Sequence, residues 1–163
     1  MAQIERIPPH NDDAEKSVLG ALLIDPEAFY KVSPIIKADD FYSNAHKEIY
    51  GAMLALNAQG KAIDVVTVAE MLKSRSTLEA AGGRAYVAQL SGEVPTSANA
   101  AQYAQIIADK ALLRRLITAS GSIVENCYKE NIESGVILDN AEESITRLPR
   151  NVRQVSIQRS RMF

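Results

Sequence analysis

One stretch, from residue 94 to residue 149, constrains the fold of this chain more than any other. It contains two apolar patterns that repeat at alternating steps of three and four residues, separated by a polar break. This spacing is typical of helices that pack lengthwise against other helices. The first pattern comprises Tyr103, Ile106, Lys110, Leu113, Ile117, Ser120, Val124 and Cys127, and the second comprises Leu138, Ala141, Ile145 and Leu148.

The break between the two patterns, residues 126–133, has no period and is predicted to be a turn. Pro95 cannot continue a helix, and Thr96 or Ser97 is predicted to cap the first one, whereas Pro149 ends the second. Two helices joined by a short turn form an antiparallel hairpin. About thirty residues of helix span about 45 Å, so we expect the hairpin to extend beyond a small head.

The outer apolar positions of such a hairpin need a partner, and we expect other copies of the chain to cover them. The alternative is that the hairpin packs only on its own head. Further apolar residues widen the first pattern, so that more than one partner surface is covered; these are Ile107, Leu112, Leu116 and Ile123. The predicted contacts between copies are Tyr103, Ile106, Leu113, Leu116, Val124, Leu138 and Ile145.

The region before the hairpin is predicted to be a compact head of five or six short helices, because none of its segments alternates cleanly like a half-buried strand. The fold class is therefore all-α, with a multi-helix head followed by a long antiparallel hairpin. The predicted boundaries are an extended arm over 1–9, the head over 10–95, the hairpin over 96–148, and a basic tail that begins a linker over 149–163.

Polar residues ahead of the apolar patterns mark the predicted helix starts in the head. Asn11 or Asp12 caps the first helix, and with Asp12 as the cap, Glu15 has the spacing of a capping box. Ser43 is predicted to cap a later helix. Asp64 caps the helix that contains the β-branched run at residues 65–68, which could otherwise be interpreted as a strand.

Charge is unevenly distributed along the chain, which has 163 residues and a net charge of −2. Residues 1–95 are acidic, and from Arg147 onward five arginines occur without an acid. An acidic head is a poor nucleic-acid surface, whereas the tail could contact phosphates or be a solvated linker. The sequence has neither an apolar stretch long enough to cross a bilayer nor a signal-peptide core, so no membrane partner is expected.

Catalytic, metal-binding and cofactor-binding patterns are not found in this sequence. The two histidines have no further ligand at zinc spacing, and His46 is predicted to be a surface or packing residue. Gly60-Lys61 lacks the preceding glycine and the following Ser or Thr of a phosphate loop. The single cysteine, Cys127, excludes an internal disulfide and is predicted to be a small packed side chain. The residues alone therefore indicate a non-catalytic module that binds proteins.

A series of short motifs then resembles the opening of bacterial replicative DNA helicases of the DnaB type, in the same order and spacing over residues 5–148. Each motif alone is weak, but together they are highly specific. The motifs are IPPHN at 7–11, AEKSVLGALL at 14–23, DFY at 40–42, AHKEIY at 45–50, AIDVVT at 62–67, GG at 82–83 with Tyr86, VPTSAN at 94–99, YAQIIADK at 103–110 and LLRRLI at 112–117.

This resemblance implies that the chain is an amino-terminal helicase domain, with the ATPase domain, its ATP and its Mg²⁺ lying outside it. In the family this domain forms the collar of a ring hexamer, a trimer of dimers, in the cytoplasm at the replication fork. It binds the helicase-binding domain of primase and, in some lineages, the helicase loader. DNA contact is then weak or made by the parent helicase, and the fragment itself is not expected to hydrolyse ATP.

The resemblance also suggests which residues contact primase, because the family uses a surface near the first hairpin helix and the adjoining head. By aligned position the candidates are Tyr86, Ile117 and Ile123. Ile117 also belongs to the first apolar pattern of the hairpin, so it could instead pack against another helix. The tail after Pro149 matches nothing in the family, and a nucleic-acid-binding accessory domain that uses this basic tail is the alternative function.

Overall fold

A computed structural model describes residues 6–149, and within this range every regular element is helical. The prediction of an all-α fold is therefore confirmed. Two short 3-10 turns lie at Pro26–Ala28 and Ala38–Asp40. The seven α-helices are α1 (Asp12–Ile24), α2 (Phe29–Val32), α3 (Asn44–Ala58), α4 (Val65–Ser74), α5 (Gly83–Leu90), α6 (Ala100–Cys127) and α7 (Ser134–Thr146).

The chain divides into two compact units, with the boundary inside α6 between Ala111 and Leu112. The first unit contains α1 to α5 and the first part of α6. Its centre is α1, in which the six consecutive residues 18–23 are all buried. A helix that is apolar around its whole circumference is buried on every side, and α1 accordingly packs against both α3 and α5.

Close packing between α1 and α5 depends on a glycine. A Cβ atom added at Gly20 would lie 2.3 Å from the backbone carbonyl oxygen of Leu90. Real Cβ atoms do not approach a backbone oxygen this closely, so any side chain at this position would push α1 and α5 apart. The glycine within the AEKSVLGALL motif is therefore explained by helix packing.

A buried polar network connects α1, α3 and α5. The Glu15 carboxylate accepts the backbone N–H groups of Tyr42 at 2.8 Å and Ser43 at 3.2 Å. It also bonds His46 Nδ1 at 2.8 Å, and His46 Nε2 lies 2.6 Å from the Tyr86 hydroxyl. Because a carboxylate only accepts, Nδ1 carries the hydrogen, and in the neutral ring Nε2 accepts from Tyr86. Glu15 and His46 are 2% and 1% exposed, so His46 is a buried packing residue.

The helix starts agree with the predicted caps in the middle of the head and differ from them in two other places. Ser43 accepts the His46 N–H and Asp64 accepts the Thr67 N–H, as predicted. Of the two predicted caps of α1, Asn11 is the one used, since its side chain accepts the Ala14 N–H, and the capping box that depended on Asp12 is wrong. Glu15 instead accepts three hydrogen bonds within the buried network.

The start of α6 also differs from its prediction. The helix begins at Ala100, so neither Thr96 nor Ser97 is its cap. The Ser97 hydroxyl instead donates to the Asp25 carboxylate at 2.7 Å, which ties the segment before α6 to the end of α1. In the first part of α6 the buried face consists of Ala100, Ala104, Ile107 and Ala111.

The second unit contains the rest of α6, the connection over 128–133 and α7. Half-buried residues recur in both helices at steps of three and four, and these stripes form the inner faces of the antiparallel hairpin. They are Leu112, Leu116, Ala119, Ile123 and Asn126 in α6, and Ile137, Ala141 and Ile145 in α7. The predicted turn at 126–133 agrees with the structure to within two residues.

Parts of two predicted regions lie outside the described residues. These are the first five residues of the arm and the basic tail from residue 150. Over residues 6–149, none of the helices combines the length and apolar composition that crossing a membrane requires.

Replacing Glu15 by Gln should lower the free energy of unfolding by about 2–3 kcal/mol, because an amide group puts a donor among three donors. Tyr86→Phe is the matched control and should cost only about 1 kcal/mol, since it removes a single hydroxyl. Urea denaturation followed by circular dichroism measures both values. A loss below that of Tyr86→Phe would show that the carboxylate does not hold the three helices together.

The pH dependence of stability tests the burial of Tyr50. Its hydroxyl donates to the Ile36 carbonyl oxygen at 3.2 Å, and burial, together with the nearby Asp40 charge, raises its pKa well above the ordinary 10.0. Above pH 10 the unfolded chain loses this proton while the folded chain keeps it. Stability is therefore intact below pH 10 and should fall by about 1.4 kcal/mol per further pH unit.

The comparison variant for this prediction is Tyr50→Phe. It should lose about 1 kcal/mol at neutral pH with the missing hydrogen bond, yet show a shallower decline above pH 10. Urea midpoints measured across this range provide the two slopes. Equal slopes would mean that Tyr50 ionises in the folded chain as readily as in the unfolded one.

Candidate protein-interaction surface

The second part of α6 carries an apolar face that nothing in the described chain covers. Ile117 is 56% exposed and Val124 57% exposed, and Tyr128, which follows the helix, is 83% exposed. We define the outer stripe as the exposed positions at steps of three and four along this face. It comprises Leu113, Ile117, Ser120, Gly121, Val124 and Tyr128.

The outer stripe is distinct from the inner face that α6 presents to α7. Residues of an α-helix are rotated by about 100° from one to the next, so Ile117 and Ile123 point about 120° apart. Ile123 is half-buried with the inner face, and Ile117 is exposed with the outer stripe. This half of α6 therefore has two apolar faces and only one of them packs within its own unit.

The second hairpin helix adds to the exposed apolar surface. On α7, Leu138 is 59% exposed and lies next to the half-buried Ile137, Ala141 and Ile145. Two residues lie on the same side of an antiparallel helix pair when each is rotated in the same direction, followed along its own chain, away from the face that contacts the other helix. Leu138 is displaced in the same sense as the outer stripe, so it lies on the same side of the hairpin.

Exposed apolar surface of this extent on a small unit is typical of a protein-interaction site. Charged residues border the outer stripe, with Arg114 near one end and Glu125 near the other. This combination of an apolar centre and a charged edge is the usual composition of a protein interface.

The structure distributes the predicted contact residues among three environments. Leu113, Val124 and Leu138 are exposed, whereas Leu116 and Ile145 are half-buried on the inner faces of the hairpin. In the first unit, Tyr103 and Ile106 are half-buried against the core of the head. The residues that share this regular spacing along α6 therefore pack against the head in the first part of the helix and are exposed to solvent in the second part.

The primase-contact candidates also lie in different environments. Ile117 and Ile123 are on different faces of α6, and Tyr86 is on α5, half-buried against the core with its hydroxyl bonded to His46. Burial is the main cause that raises the pKa of Tyr86, and the charge of Lys16 opposes it. Gly82 has a φ angle of 96°, and a Cβ atom added to it would lie 2.9 Å from the ring of Tyr86.

Two interpretations of single residues change with the structure. Cys127 is exposed at the end of α6 and is not the packed side chain that its position predicted. The pairing of Glu15 with His46 was missed, because the two are 31 positions apart and neither belongs to a local pattern. A sequence signal did exist, since Glu15 shares a face of the first helix with the apolar Leu19 and Leu22. Over residues 6–149, no cluster of His, Cys, Asp or Glu could hold a metal ion.

Comparison with known proteins identifies relatives along most of the chain. Residues 7–109 match the family model of the DnaB-like helicase N-terminal domain. The replicative DNA helicase DnaB of Geobacillus stearothermophilus is 43% identical over 141 residues, which is 86% of this chain and 31% of that protein. The chain therefore spans about a third of the length of the curated relatives it matches.

Two solved structures have the same fold. The crystal structure of the N-terminal domain of DnaB helicase from Mycobacterium tuberculosis is 40% identical, with a TM-score of 0.82, and the match covers 86% of this chain and 99% of that one. A DnaB-like replicative helicase, solved to study its interactions with primase, is 23% identical with a TM-score of 0.71. That match covers 92% of this chain and 34% of the helicase.

The two faces of α6 should respond differently to truncation. Ile123→Ala removes half-buried contacts with α7 and should cost about 1–2 kcal/mol of unfolding free energy. Ile117→Ala is the matched control on the exposed face and should stay within about 0.5 kcal/mol. Both are measured by urea denaturation at the lowest usable concentration, where self-association contributes least. Equal losses would contradict the assignment of the two residues to different faces.

Proposed function

Because the chain belongs to the family of DnaB-like helicase N-terminal domains, we propose that it associates with copies of itself and docks primase onto a replicative helicase. The observation that carries the proposal is the outer stripe, an apolar helix face left uncovered within the described chain. A domain of this kind acts through contacts between proteins, and its residues need no catalytic group.

Self-association is the first part of the proposal. The outer stripe and Leu138 form an exposed apolar face, and covering such a face with a second copy removes it from water at about 25 cal/mol per Å². We propose that dimers formed in this way build the trimer-of-dimers collar of a hexameric ring. The charged border of the face is compatible with a subunit contact that excludes other proteins.

Docking of primase is the second part. The 23% identical helicase was solved for its interactions with primase, and the shared fold makes the helicase-binding domain of primase a reasonable partner for this chain. The candidate contacts are Tyr86, Ile117 and Ile123. Among them Ile117 is the most accessible, whereas Ile123 and Tyr86 are partly occupied by packing. A helicase loader is a further proposed partner of the same domain.

We propose that ATP hydrolysis and DNA unwinding belong to a part of the helicase outside residues 1–163. The relatives are replicative helicases about three times longer than this chain, and the one Gly-Lys pair, Gly60-Lys61, lacks the context of a phosphate loop. ATP and Mg²⁺ would therefore bind elsewhere in the parent protein. The parent would act in the cytoplasm at the replication fork and make the principal contacts with DNA.

Sedimentation velocity of the chain over a range of concentrations tests self-association. We expect dimers or larger species that dissociate on dilution, and Ile117→Glu should shift the equilibrium toward the monomer at least tenfold, because it places a charge on the covered face. Glu70→Ala, an exposed change on α4, is the control and should leave the mass distribution unchanged. A strictly monomeric chain at high micromolar concentration would refute self-association.

Primase docking is tested by binding the helicase-binding domain of primase to immobilised chain. The binding is measured at concentrations where sedimentation shows the dimer. Tyr86→Ala changes a candidate outside the outer stripe and should weaken this binding severalfold with helicity and dimer preserved. Ile117→Ala should weaken binding and dimer together, because Ile117 also lies on the face that the second copy covers. Wild-type chain that does not bind primase would refute the docking function and leave self-association standing.

A further inference from the structure

We propose that Tyr86 is a nucleophilic tyrosine whose hydroxyl is a site of covalent modification by uncharged, activated acyl donors. The buried polar network of the head leads to this inference, because its three side chains form a chemical arrangement as well as a link between helices. Neither self-association nor the docking of primase is required for this reactivity.

The side chains of Glu15, His46 and Tyr86 are arranged like the carboxylate, imidazole and hydroxyl of a catalytic triad. The carboxylate bonds Nδ1 of the imidazole at 2.8 Å, and Nε2 lies 2.6 Å from the hydroxyl oxygen. In such an arrangement the carboxylate orients the base, and the base accepts the proton of the attacking hydroxyl. Because Nδ1 of His46 carries the hydrogen, the lone pair of Nε2 faces Tyr86 and can accept this proton.

The base and the hydroxyl are both held in place by the surrounding head. Glu15 and His46 are buried, and Glu15 also accepts two backbone N–H groups at the start of α3. The ring of Tyr86 lies nearly parallel to the imidazole, at an interplanar angle of 13°, and Gly82 leaves the space that this ring fills. The hydroxyl and its base are therefore in position before any reagent arrives.

Tyr86 differs from other tyrosines of the chain because it combines a base with access to solvent. The residue is half-buried, and the charges of Lys16, Asp12 and Glu93, which face solvent, act on its hydroxyl. Tyr50 is fully buried, and its hydroxyl donates to a carbonyl oxygen, which cannot take up a proton. A small reagent can therefore reach a tyrosine with an adjacent base only at Tyr86 within this comparison.

The acidity of Tyr86 requires that the base take part. Burial raises the pKa of this hydroxyl, so little phenolate is present at neutral pH. Attack therefore depends on transfer of the proton to His46 as the oxygen forms its new bond. The hydroxyl of serine, which is a weaker acid than a phenol, is activated by the same arrangement in hydrolases.

The charges around the hydroxyl favour uncharged donors. The carboxylates of Asp12, Glu15 and Glu93 act on Tyr86, and the one opposing cation, Lys16, is paired with Asp12 at 3.2 Å. This excess of negative charge repels anionic donors such as phosphoryl compounds. In the proposed reaction the Tyr86 oxygen attacks the carbonyl carbon while its proton passes to Nε2 of His46. The leaving group then departs with that proton, which leaves an ester on Tyr86 and a neutral imidazole.

Acylation of Tyr86 would also change the packing of the head. A tyrosine ester has no hydrogen to donate, so the buried Nε2 of His46 loses its partner, and an unpaired buried acceptor is costly. The connection between α3 and α5 is thereby weakened. A reaction at the surface is in this way communicated to the interior of the head.

Acetylation of the 163-residue chain with N-acetylimidazole at neutral pH tests the proposal. The chain is kept at the lowest usable concentration, and peptide mass spectrometry gives the rate at each tyrosine. Tyr86 should react about tenfold or more faster than Tyr30 and Tyr128, because general-base catalysis outweighs the greater exposure of those two residues. The product should be an ester that hydroxylamine removes, and Tyr86→Phe should abolish its signal.

His46→Gln separates the base from the hydrogen bonds. A glutamine amide can donate to Glu15 and accept from Tyr86, but it cannot take up the proton. Acetylation of Tyr86 should therefore fall about tenfold or more, with Tyr30 unchanged. Tyr50, which is fully buried, serves as the internal monitor of folding and should stay unlabelled in a folded variant.

Two results would overturn the assignment of Tyr86. One is a wild-type chain in which Tyr86 reacts no faster than Tyr30 and Tyr128, as its burial alone would predict. The other is a folded His46→Gln variant in which Tyr86 reacts as fast as in the wild type. If labelling of Tyr50 shows that this variant is unfolded, the comparison among the tyrosines of the wild-type chain decides.

Discussion

One buried carboxylate, that of Glu15, holds together three helices of the first unit. It accepts two backbone amides at the start of α3 and the imidazole of His46, which in turn bonds Tyr86 on α5. Removing a charge from water is costly unless every acceptor site is used. The arrangement is therefore stable only when α1, α3 and α5 are all in position. It fixes their relative placement more precisely than apolar contacts can.

The apolar packing of the first unit is organised around the same helix. Residues 18–23 of α1 are buried on every side, and Gly20 lets α5 approach to backbone contact. A second short link ties the end of α1, through Asp25, to Ser97 ahead of α6. Over the residues described, every buried side-chain nitrogen and oxygen has a hydrogen-bond partner. In the described part of the head, the buried polar side chains are therefore hydrogen-bonded, and the buried apolar side chains pack against one another.

In the second unit, part of the apolar surface remains exposed. The second part of α6 uses one face for α7 and leaves the outer stripe exposed, and α7 has no fully buried side chain. A two-helix unit cannot bury as much of its surface as a larger domain can. This surplus apolar face is the physical feature on which the proposed assembly with other proteins rests.

The sequence by itself determined the helical class, the hairpin, the caps at Ser43 and Asp64, and the family. These follow from local spacing, from short-range hydrogen bonds and from contiguous motifs. It also predicted seven contacts between copies, of which Leu113, Val124 and Leu138 are exposed in the structure. Only the tertiary structure decided that Glu15 faces His46, that Cys127 is exposed, and that Tyr103 packs on the head while Ile117 is exposed. A repeat of three and four shows which residues share a helix face. It does not show what lies opposite that face, because contacts between residues far apart in sequence depend on how the helices come together.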